Sequence, residues 1–137
     1  MTFKVFDIAG SGMNAQNLRL NLIASNLSNA DSVSSSIDQT YRSRQPVFKA
    51  ELNNVLDKQN SASGVRVMGV VESKTPLRME YMPNHPMANE DGYVYKPNVN
   101  VVEEMANMMS ASRSYQTNVE VINTAKQLML QTLRMGQ

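Results

Sequence analysis

The residues of this 137-residue chain that are able to do chemistry are few and poorly arranged for it. His85 is the only histidine and there is no cysteine, so the clustered nitrogen and sulfur ligands that zinc prefers are missing. Glu103 and Glu104 are adjacent, so on a helix they point about 100° apart and do not face each other across a substrate. Stabilisation of a helix N-terminus explains this pair better, and His85 is best read as a loop residue.

Two other stretches look like functional motifs but lack essential parts. "AGSG", residues 9–12, follows no predicted strand and lacks the third glycine of a dinucleotide-binding fingerprint. "SVSSS", residues 32–36, offers hydroxyl groups, but no motif supplies a base to activate one. The sequence therefore predicts a protein that is not an enzyme, with no catalytic residue, no cofactor and no metal site. A small hydrolase is the least favoured interpretation.

The composition is that of one domain with few charges and many amides. Charged residues make up 18% of the chain, against about 25% in a typical protein, while there are 15 Asn and 8 Gln. The net charge of +1 does not favour binding to nucleic acid. No apolar run approaches the ~18 residues of a transmembrane helix, so we expect no direct membrane insertion. The N-terminus also lacks the features of a cleavable secretory signal peptide.

The first segment, roughly Phe6 to Asn29, has the apolar spacing of a helix. Alternating steps of three and four residues define a seam in which six of seven residues are apolar. Gly10 and Gly12 weaken the first turns by about 1 kcal/mol each relative to alanine. We therefore expect the helix to start late or fray, and to be firm from about Asn14. The seam consists of Phe6, Ala9, Met13, Gln16, Leu20, Ile23 and Leu27.

The last segment predicts a longer helix with a defined start. Asn100 and Glu103 have the spacing of a capping box, in which the two side chains satisfy early backbone amides. At about 1.5 Å per residue the helix would be about 50 Å long, too long for a small insert to cover. Eight of its ten seam residues are apolar: Val101, Met105, Met108, Ser112, Tyr115, Val119, Ile122, Lys126, Met129 and Leu133.

The residues between the helices predict a loop followed by a small β-rich insert. The serine-rich stretch after Asn29 and "NNVLDKQNSASG", residues 53–64, indicate polar connectors. "YRSRQPVFKAEL" is strand-like, but Pro46 would confine a strand to a sheet edge. Residues 65–71 and 77–81 alternate around a polar turn, which predicts a β-hairpin.

These elements predict a mainly α fold in which the terminal helices pair as a coiled-coil-like hairpin. Together they form one domain, with an N-terminal helix in residues 1–30, the insert in 31–97 and a C-terminal helix in 98–137. A two-helix hairpin has no second layer, so the apolar residues beside the seams stay uncovered. The economical partner is another copy or a relative, and contacts that do not close produce a helical filament. The flanking residues include Leu18, Leu22, Val102, Met109, Val121 and Leu130.

Both terminal segments resemble those of bacterial flagellar rod and hook axial proteins. The resemblance lies in "FDIAGSGMNAQNLRLNLIASNLSNADS" and "NVNVVEEMANMMSASRSYQTNVEVINTAKQLMLQTL". "YRSRQPVF", "HPMANEDGYVYKPNVN" and the short length are similar to the proximal rod members, since distal rod and hook proteins carry larger inserts. The N-terminal motif falls on Ser11, Gly12, Met13, Ala15, Gln16, Arg19, Leu20, Asn21, Ile23, Asn26, Leu27 and Asn29, and the C-terminal one on Glu104, Met105, Ser112, Tyr115, Asn118, Val121, Asn123 and Leu133.

The resemblance implies a structural subunit of the flagellar basal body that transmits torque in the periplasmic rod. It implies export by the flagellar type III apparatus without a cleavable signal, and partners among other rod proteins and copies of itself. The MS ring and export gate would lie nearby. The residues expected to form the assembly interface are Met13, Leu20, Ile23, Leu27, Met105, Met108, Tyr115, Val119, Ile122, Met129 and Leu133.

One other interpretation stays open from the residues alone. The amphipathic helices also suit a soluble adaptor or export chaperone that clasps a helix of its client. A structural subunit should associate with itself or with rod partners as concentration rises, whereas a chaperone should form a small complex of defined size with one client.

Overall fold

The computed structural model describes residues 2–51 and 63–137, and within them a helix at each end encloses a β-rich insert. This confirms the predicted architecture of two terminal helices around a small β-rich insert, which consists of two small antiparallel sheets. The predicted connector at residues 53–64 falls almost entirely outside the described residues. The elements are α1 (Thr2–Ser28), β1 (Arg44–Glu51), β2 (Gly64–Glu72), β3 (Arg78–Tyr81), β4 (Tyr93–Lys96) and α2 (Val101–Met135).

Helix α1 is continuous from Thr2 to Ser28, so the expectation of a late or frayed start is wrong. Its predicted seam is covered along its length: Ala9 and Ile23 are buried and the other seam residues are half-buried. Helix α2 approaches so closely at Gly12 that a Cβ there would lie 2.8 Å from the side-chain nitrogen of Asn118. Packing against α2 therefore supplies the stability that the two glycines do not, as is usual for helices in proteins.

Helix α2 begins at the predicted cap. The side chain of Asn100 accepts a hydrogen bond from the backbone N–H of Glu103 at 3.2 Å, which satisfies one of the free amides of the first turn. The helix contains 35 residues and is about 52 Å long. At its other end the N–H of Gly136 donates to the carbonyl of Thr132 at 3.1 Å.

The two helices pack against each other in an antiparallel pair. Gly12 of α1 faces Asn118 of α2, while Asn26, near the end of α1, lies close to Glu104, near the start of α2. Continuing this alignment to the start of α1 leaves residues 129–135 of α2 beyond its partner. Leu133 in this extension is accordingly 63% exposed.

Strands β1 and β2 form a two-stranded ribbon that packs beside α1. Pro46 lies opposite Val70, which is tolerated because each strand of such a ribbon is an edge. A shift in register between Val47 and Phe48 leaves one extra residue, Met68, in β2. The predicted hairpin of residues 65–71 with 77–81 is wrong, since β2 pairs with β1. The residues after β2 are held by side chains of other segments and do not close a turn.

Strands β3 and β4 form the second antiparallel sheet. Its connecting turn requires a glycine, because Gly92 has a positive φ of 83° and lies against the ring of Tyr81. The residues after α1 form turns, as expected of a loop, but Ser34 exchanges backbone hydrogen bonds of 3.0 and 2.8 Å with Tyr95 of β4. The loop is thereby joined to the sheet.

The buried apolar residues lie in two regions and are mostly small. One region is the seam between the helices, where the buried side chains are largely alanines. The other includes β4 and the segment that leads into α2. The first set comprises Ala9, Ala15, Ile23, Ala111 and Ala125, and the second comprises Ala30, Val94, Pro97 and Val99.

Candidate assembly interface

The exposed surface of α2 carries two groups of large apolar side chains. The first α2 patch consists of Val102, Met105 and Met109, spaced three and four residues apart on one side of the helix, and these are 77%, 52% and 66% exposed. Apart from Val121, the exposed helix surface between the two patches is polar and includes Arg113, Gln116 and Glu120. The second α2 patch, which begins level with the first residue of α1 and continues into the extension, consists of Leu128, Leu130, Leu133 and Met135. Apolar patches on a long helix typically mark a contact with another protein.

The structure divides the predicted interface residues into covered and exposed groups. Ile23 is buried at 4% exposure, whereas Met105, Met108 and Leu133 are exposed. Met105, Met108 and Leu133 are therefore available to a partner. The other predicted interface residues are wholly or partly covered by packing within the chain. The half-buried residues are Met13, Leu20, Leu27, Tyr115, Val119, Ile122 and Met129. Of the predicted flanking residues on α2, all four (Val102, Met109, Val121 and Leu130) are exposed.

On α2, every second position of the predicted seam is one residue away from the position that is buried against α1. The buried positions are Glu104, Ala111 and Ala125, and Asn118 completes their seven-residue spacing. The predicted seam had placed Met105, Ser112, Val119 and Lys126 at those levels. Small and polar residues take the inward positions because α1 presents Gly12 and Asn26 to them, which permits close approach and polar contact.

Asn26 is a fully buried polar residue that joins α1 to the start of β1. Its side-chain nitrogen donates to the carbonyl of Arg44 at 2.9 Å, and its oxygen accepts from the N–H of Arg44 at 3.0 Å. The same oxygen accepts from the hydroxyl of Tyr41 at 2.7 Å. Because the amide pairs with both backbone groups of one residue, it fixes where the ribbon leaves the helix. The N-terminal motif included Asn26, but spacing alone gave it no structural role.

Glu104 is a buried carboxyl near Asn26. It is 4% exposed, and burial raises its pKa above the ordinary value of 4.5, opposed in part by interaction with the Asn26 side chain. The charge of Glu103 raises this pKa further, while Arg19 lowers it. Stabilisation of the helix end was predicted for both glutamates. Glu104 lies in the first turn, but its burial against α1 shows a packing role that was not predicted.

Asn98 holds the insert to the start of α2. Its side-chain oxygen accepts from the N–H of Ser43 at 2.8 Å, and its nitrogen donates to the carbonyls of Thr75 at 2.8 Å and Ser73 at 3.2 Å. Arg42 donates to the same two carbonyls at 3.4 and 3.2 Å. One amide thus joins the residues before β1, after β2 and before α2. Sequence reasoning missed Asn98, since no local spacing marks it.

The ribbon has a second attachment to α1. The hydroxyl of Ser11 donates to the carbonyl of Ile8 at 2.8 Å and accepts from the N–H of Val65 at 3.0 Å. Gly64 is required beside it, because a Cβ at that position would lie 2.8 Å from the Ser11 oxygen. The ribbon is therefore held to α1 near both Ser11 and Asn26.

His85, the first residue considered for chemistry, takes part in the local structure of a turn. His85 is half-buried in a turn, where its Nδ1 accepts from the N–H of Met87 at 3.0 Å. Within residues 2–51 and 63–137, no three His, Cys, Asp or Glu side chains are grouped closely enough to hold a metal ion. Among the helices of that same portion, neither is long and apolar enough to cross a membrane.

Comparison with known proteins extends over nearly the whole chain. Residues 6–34 match the family described as flagella basal body rod protein, and residues 90–135 match the C-terminal family of flagellar basal body rod FlgEFG proteins. The flagellar basal-body rod proteins FlgC of Salmonella typhimurium and Escherichia coli O6:H1 are 51% and 52% identical, covering 97% of this chain and 96% of each relative. FlgC of Borreliella burgdorferi is 34% identical, covering 98% of this chain and 97% of the relative.

Identity at this level, in matches that cover 97–98% of the chain, exceeds what a shared fold alone would require. It also agrees with the resemblance of both terminal segments to flagellar axial proteins and of the insert to the short proximal rod proteins. The chain therefore belongs to the FlgC family of flagellar basal-body rod proteins.

Proposed function

We propose that the protein is a non-enzymatic structural subunit of the proximal rod, and that it assembles through its terminal helices into the helical shaft that transmits motor torque. The observation that carries the assembly role is the exposure of large apolar side chains on α2. This helix contains 35 residues and extends beyond α1, its partner within the chain. In this proposal, the coiled-coil-like packing that joins α1 to α2 within one subunit also joins the helices of neighbouring subunits.

The exposed side chains are large enough to drive association. Val102, Met109, Leu128 and Leu133 are between 59% and 77% exposed. Full burial of such a side chain is worth about 1.5–3 kcal/mol, so covering the exposed parts of these four gives about 4–8 kcal/mol before the costs of association. That gain is comparable with the net stability of a small domain.

A cleft near the start of α2 offers a further contact. It has a volume of about 470 Å³ and lies beside the first α2 patch, where Pro76, Val99, Val101 and Val102 contribute to its lining. An apolar side chain of a neighbouring subunit fits the chemistry of this cleft.

The family supports the remaining parts of the proposal. The partners are copies of the chain and other rod proteins, with the MS ring and export gate close by. The location is the periplasmic rod of the basal body, reached through the type III export apparatus. These assignments rest on relatives that are named as basal-body rod proteins.

The test is to place a charge in the first α2 patch. Val102→Asp and Met109→Asp change exposed side chains, so the purified proteins should keep their helix content by circular dichroism. In cells that lack the natural gene, both variants should be exported but absent from basal bodies, and swimming should be lost. Gln116→Asp adds the same charge on the polar middle of α2 and is the matched control. Normal swimming with both patch variants would contradict the assembly role.

A further inference from the structure

The first α2 patch and the residue beside it are rich in methionine. Met105 and Met109 are each more than half exposed, and Met108, which lies between them in the sequence, is 37% exposed. Met108 and Met109 also line a cleft of about 340 Å³ on the surface of α2. Three methionine side chains within five consecutive residues are therefore accessible to a small solute in the free chain.

The chain offers an oxidant no more reactive side chain than methionine. It contains no cysteine and no tryptophan but 11 methionines. Peroxides convert methionine to its sulfoxide, and the susceptibility of each residue follows its exposure. Met13 and Met129, which belong to the helix seams, are only half-buried, but they are less exposed than Met105 and Met109. The two patch methionines should therefore react before those of the seams.

We propose that Met105 and Met109 are oxidation sites through which a peroxide prevents the free subunit from assembling. This inference rests on the proposed function, because it assigns a chemical control to the patch through which the subunit is proposed to assemble. In the reaction, the thioether sulfur attacks one oxygen of hydrogen peroxide, so that a sulfur–oxygen bond forms and the O–O bond breaks. The sulfur loses two electrons, and the departing hydroxide takes the proton of the transferred oxygen and leaves as water.

A sulfoxide disfavours burial of the patch. A reduced methionine is flexible and apolar, so it fills irregular contacts between subunits. A sulfoxide oxygen needs a hydrogen-bond donor once it leaves water, and the side chain of Val102, the third member of the patch, provides none. Each sulfoxide that is buried without a donor weakens the contact by about tenfold. Methionine sulfoxide reductases reverse the change, so the control is reversible.

Rates of oxidation test the accessibility of these side chains. The purified full-length chain is treated with hydrogen peroxide, and the oxidation of each peptide is followed by mass spectrometry. Met105 and Met109 should be oxidised at least about threefold faster than Met13 and Met129. In isolated basal bodies the patch is covered, so Met105 and Met109 should react at least about tenfold more slowly than in the free chain. Equal rates for all four residues in the free chain, or no slowing in basal bodies, would overturn the inference.

Competition between two chains in one cell tests the consequence for assembly. One strain expresses the natural chain together with a chain that carries Met105→Leu and Met109→Leu, and peptide masses give the ratio of the two in basal bodies. Growth with hydrogen peroxide should shift this ratio at least about threefold towards the leucine chain, relative to untreated cells. A Met79→Leu chain, altered at a similarly exposed residue of β3, is the matched control and its ratio to the natural chain should not shift. An unchanged ratio for the leucine chain would overturn the inference.

The charge variants of the first α2 patch separate this inference from the proposed function, because a charge tests the patch without any oxidation. If Val102→Asp and Met109→Asp are absent from basal bodies while peroxide leaves the ratio of the competing chains unchanged, the patch assembles and only the oxidation control is wrong. If both charge variants are incorporated normally, the assembly role of the patch is wrong, and the inference fails with it.

Discussion

Replacing Asn98 with alanine is expected to loosen the junction between the insert and α2. The change removes the acceptor for the N–H of Ser43 and the donor to the carbonyls of Ser73 and Thr75. The loss of Asn98 affects these three backbone groups unequally. Both carbonyls keep Arg42 as a donor, at 3.2 and 3.4 Å. The N–H of Ser43 belongs to a residue that is 4% exposed and has poor access to water.

The size of the loss follows from this inequality. A buried donor left without a partner costs about 1–3 kcal/mol, while each of the other hydrogen bonds is worth about 1 kcal/mol and is partly replaced. We therefore expect Asn98→Ala to reduce the free energy of unfolding by about 2–3 kcal/mol. For a domain of this size, that corresponds to a fall in Tm of about 8–12 °C.

Thermal and urea unfolding followed by circular dichroism measure this effect. The urea m-value should stay unchanged, because the surface exposed on unfolding is the same. Asn84→Ala, which alters an exposed asparagine in the turn after β3, is the control and should shift Tm by less than about 2 °C. If Asn98→Ala were no more destabilising than Asn84→Ala, the N–H of Ser43 would have another partner and the assigned role of Asn98 would be wrong.

Three other changes test separate features. The folded-state pKa of Glu104 is raised above 4.5, so its favourable contribution is present below the unfolded pKa and is lost as pH rises through the folded pKa. Glu104→Gln should therefore raise Tm at pH 7, with a gain that shrinks as pH falls towards 4 in a pH series of melting curves. No gain at pH 7 would show that burial does not penalise this charge. Gly92→Ala should lower the free energy of unfolding by about 1–3 kcal/mol in urea titrations, because φ is 83° and the Tyr81 ring leaves no room; an unchanged midpoint would contradict this. Truncation from Ala125 onward removes the second α2 patch, and should give a soluble protein that is absent from isolated basal bodies. Incorporation of the truncated chain would show that this end of α2 is not needed for assembly.

The sequence predicted the helices well because their signals are local. The apolar spacing of α1 identified a seam that is covered along its length, and the Asn100–Glu103 spacing identified the start of α2. The seam of α2 was harder, because its largest apolar residues point outward. A pattern based on hydrophobicity favours Val119 over Asn118 as the inward residue, whereas the structure places Asn118 against Gly12 of α1.

The strand pairing and the roles of the buried asparagines could not be predicted from local signals in the sequence. Alternation over residues 65–71 indicates a strand but does not identify its partner, which proved to be β1. Asn26 and Asn98 look like other asparagines in a chain that contains 15 of them. Their roles depend on backbone groups that are distant in sequence, such as those of Arg44 and Ser73, and only the fold brings these together.

Because the helices run in opposite directions, Phe3 and Met135 lie at one pole of the molecule, whereas the end of α1 and the start of α2 lie at the other. The length of α1, 27 residues, separates these poles by about 40 Å. A fluorescent reporter fused to either terminus would sit at the same pole, and would obstruct the same neighbours in a stacked shaft. A small epitope placed in the turn between β3 and β4 would sit at the far pole. This turn therefore offers a labelling site for imaging that is independent of the two termini.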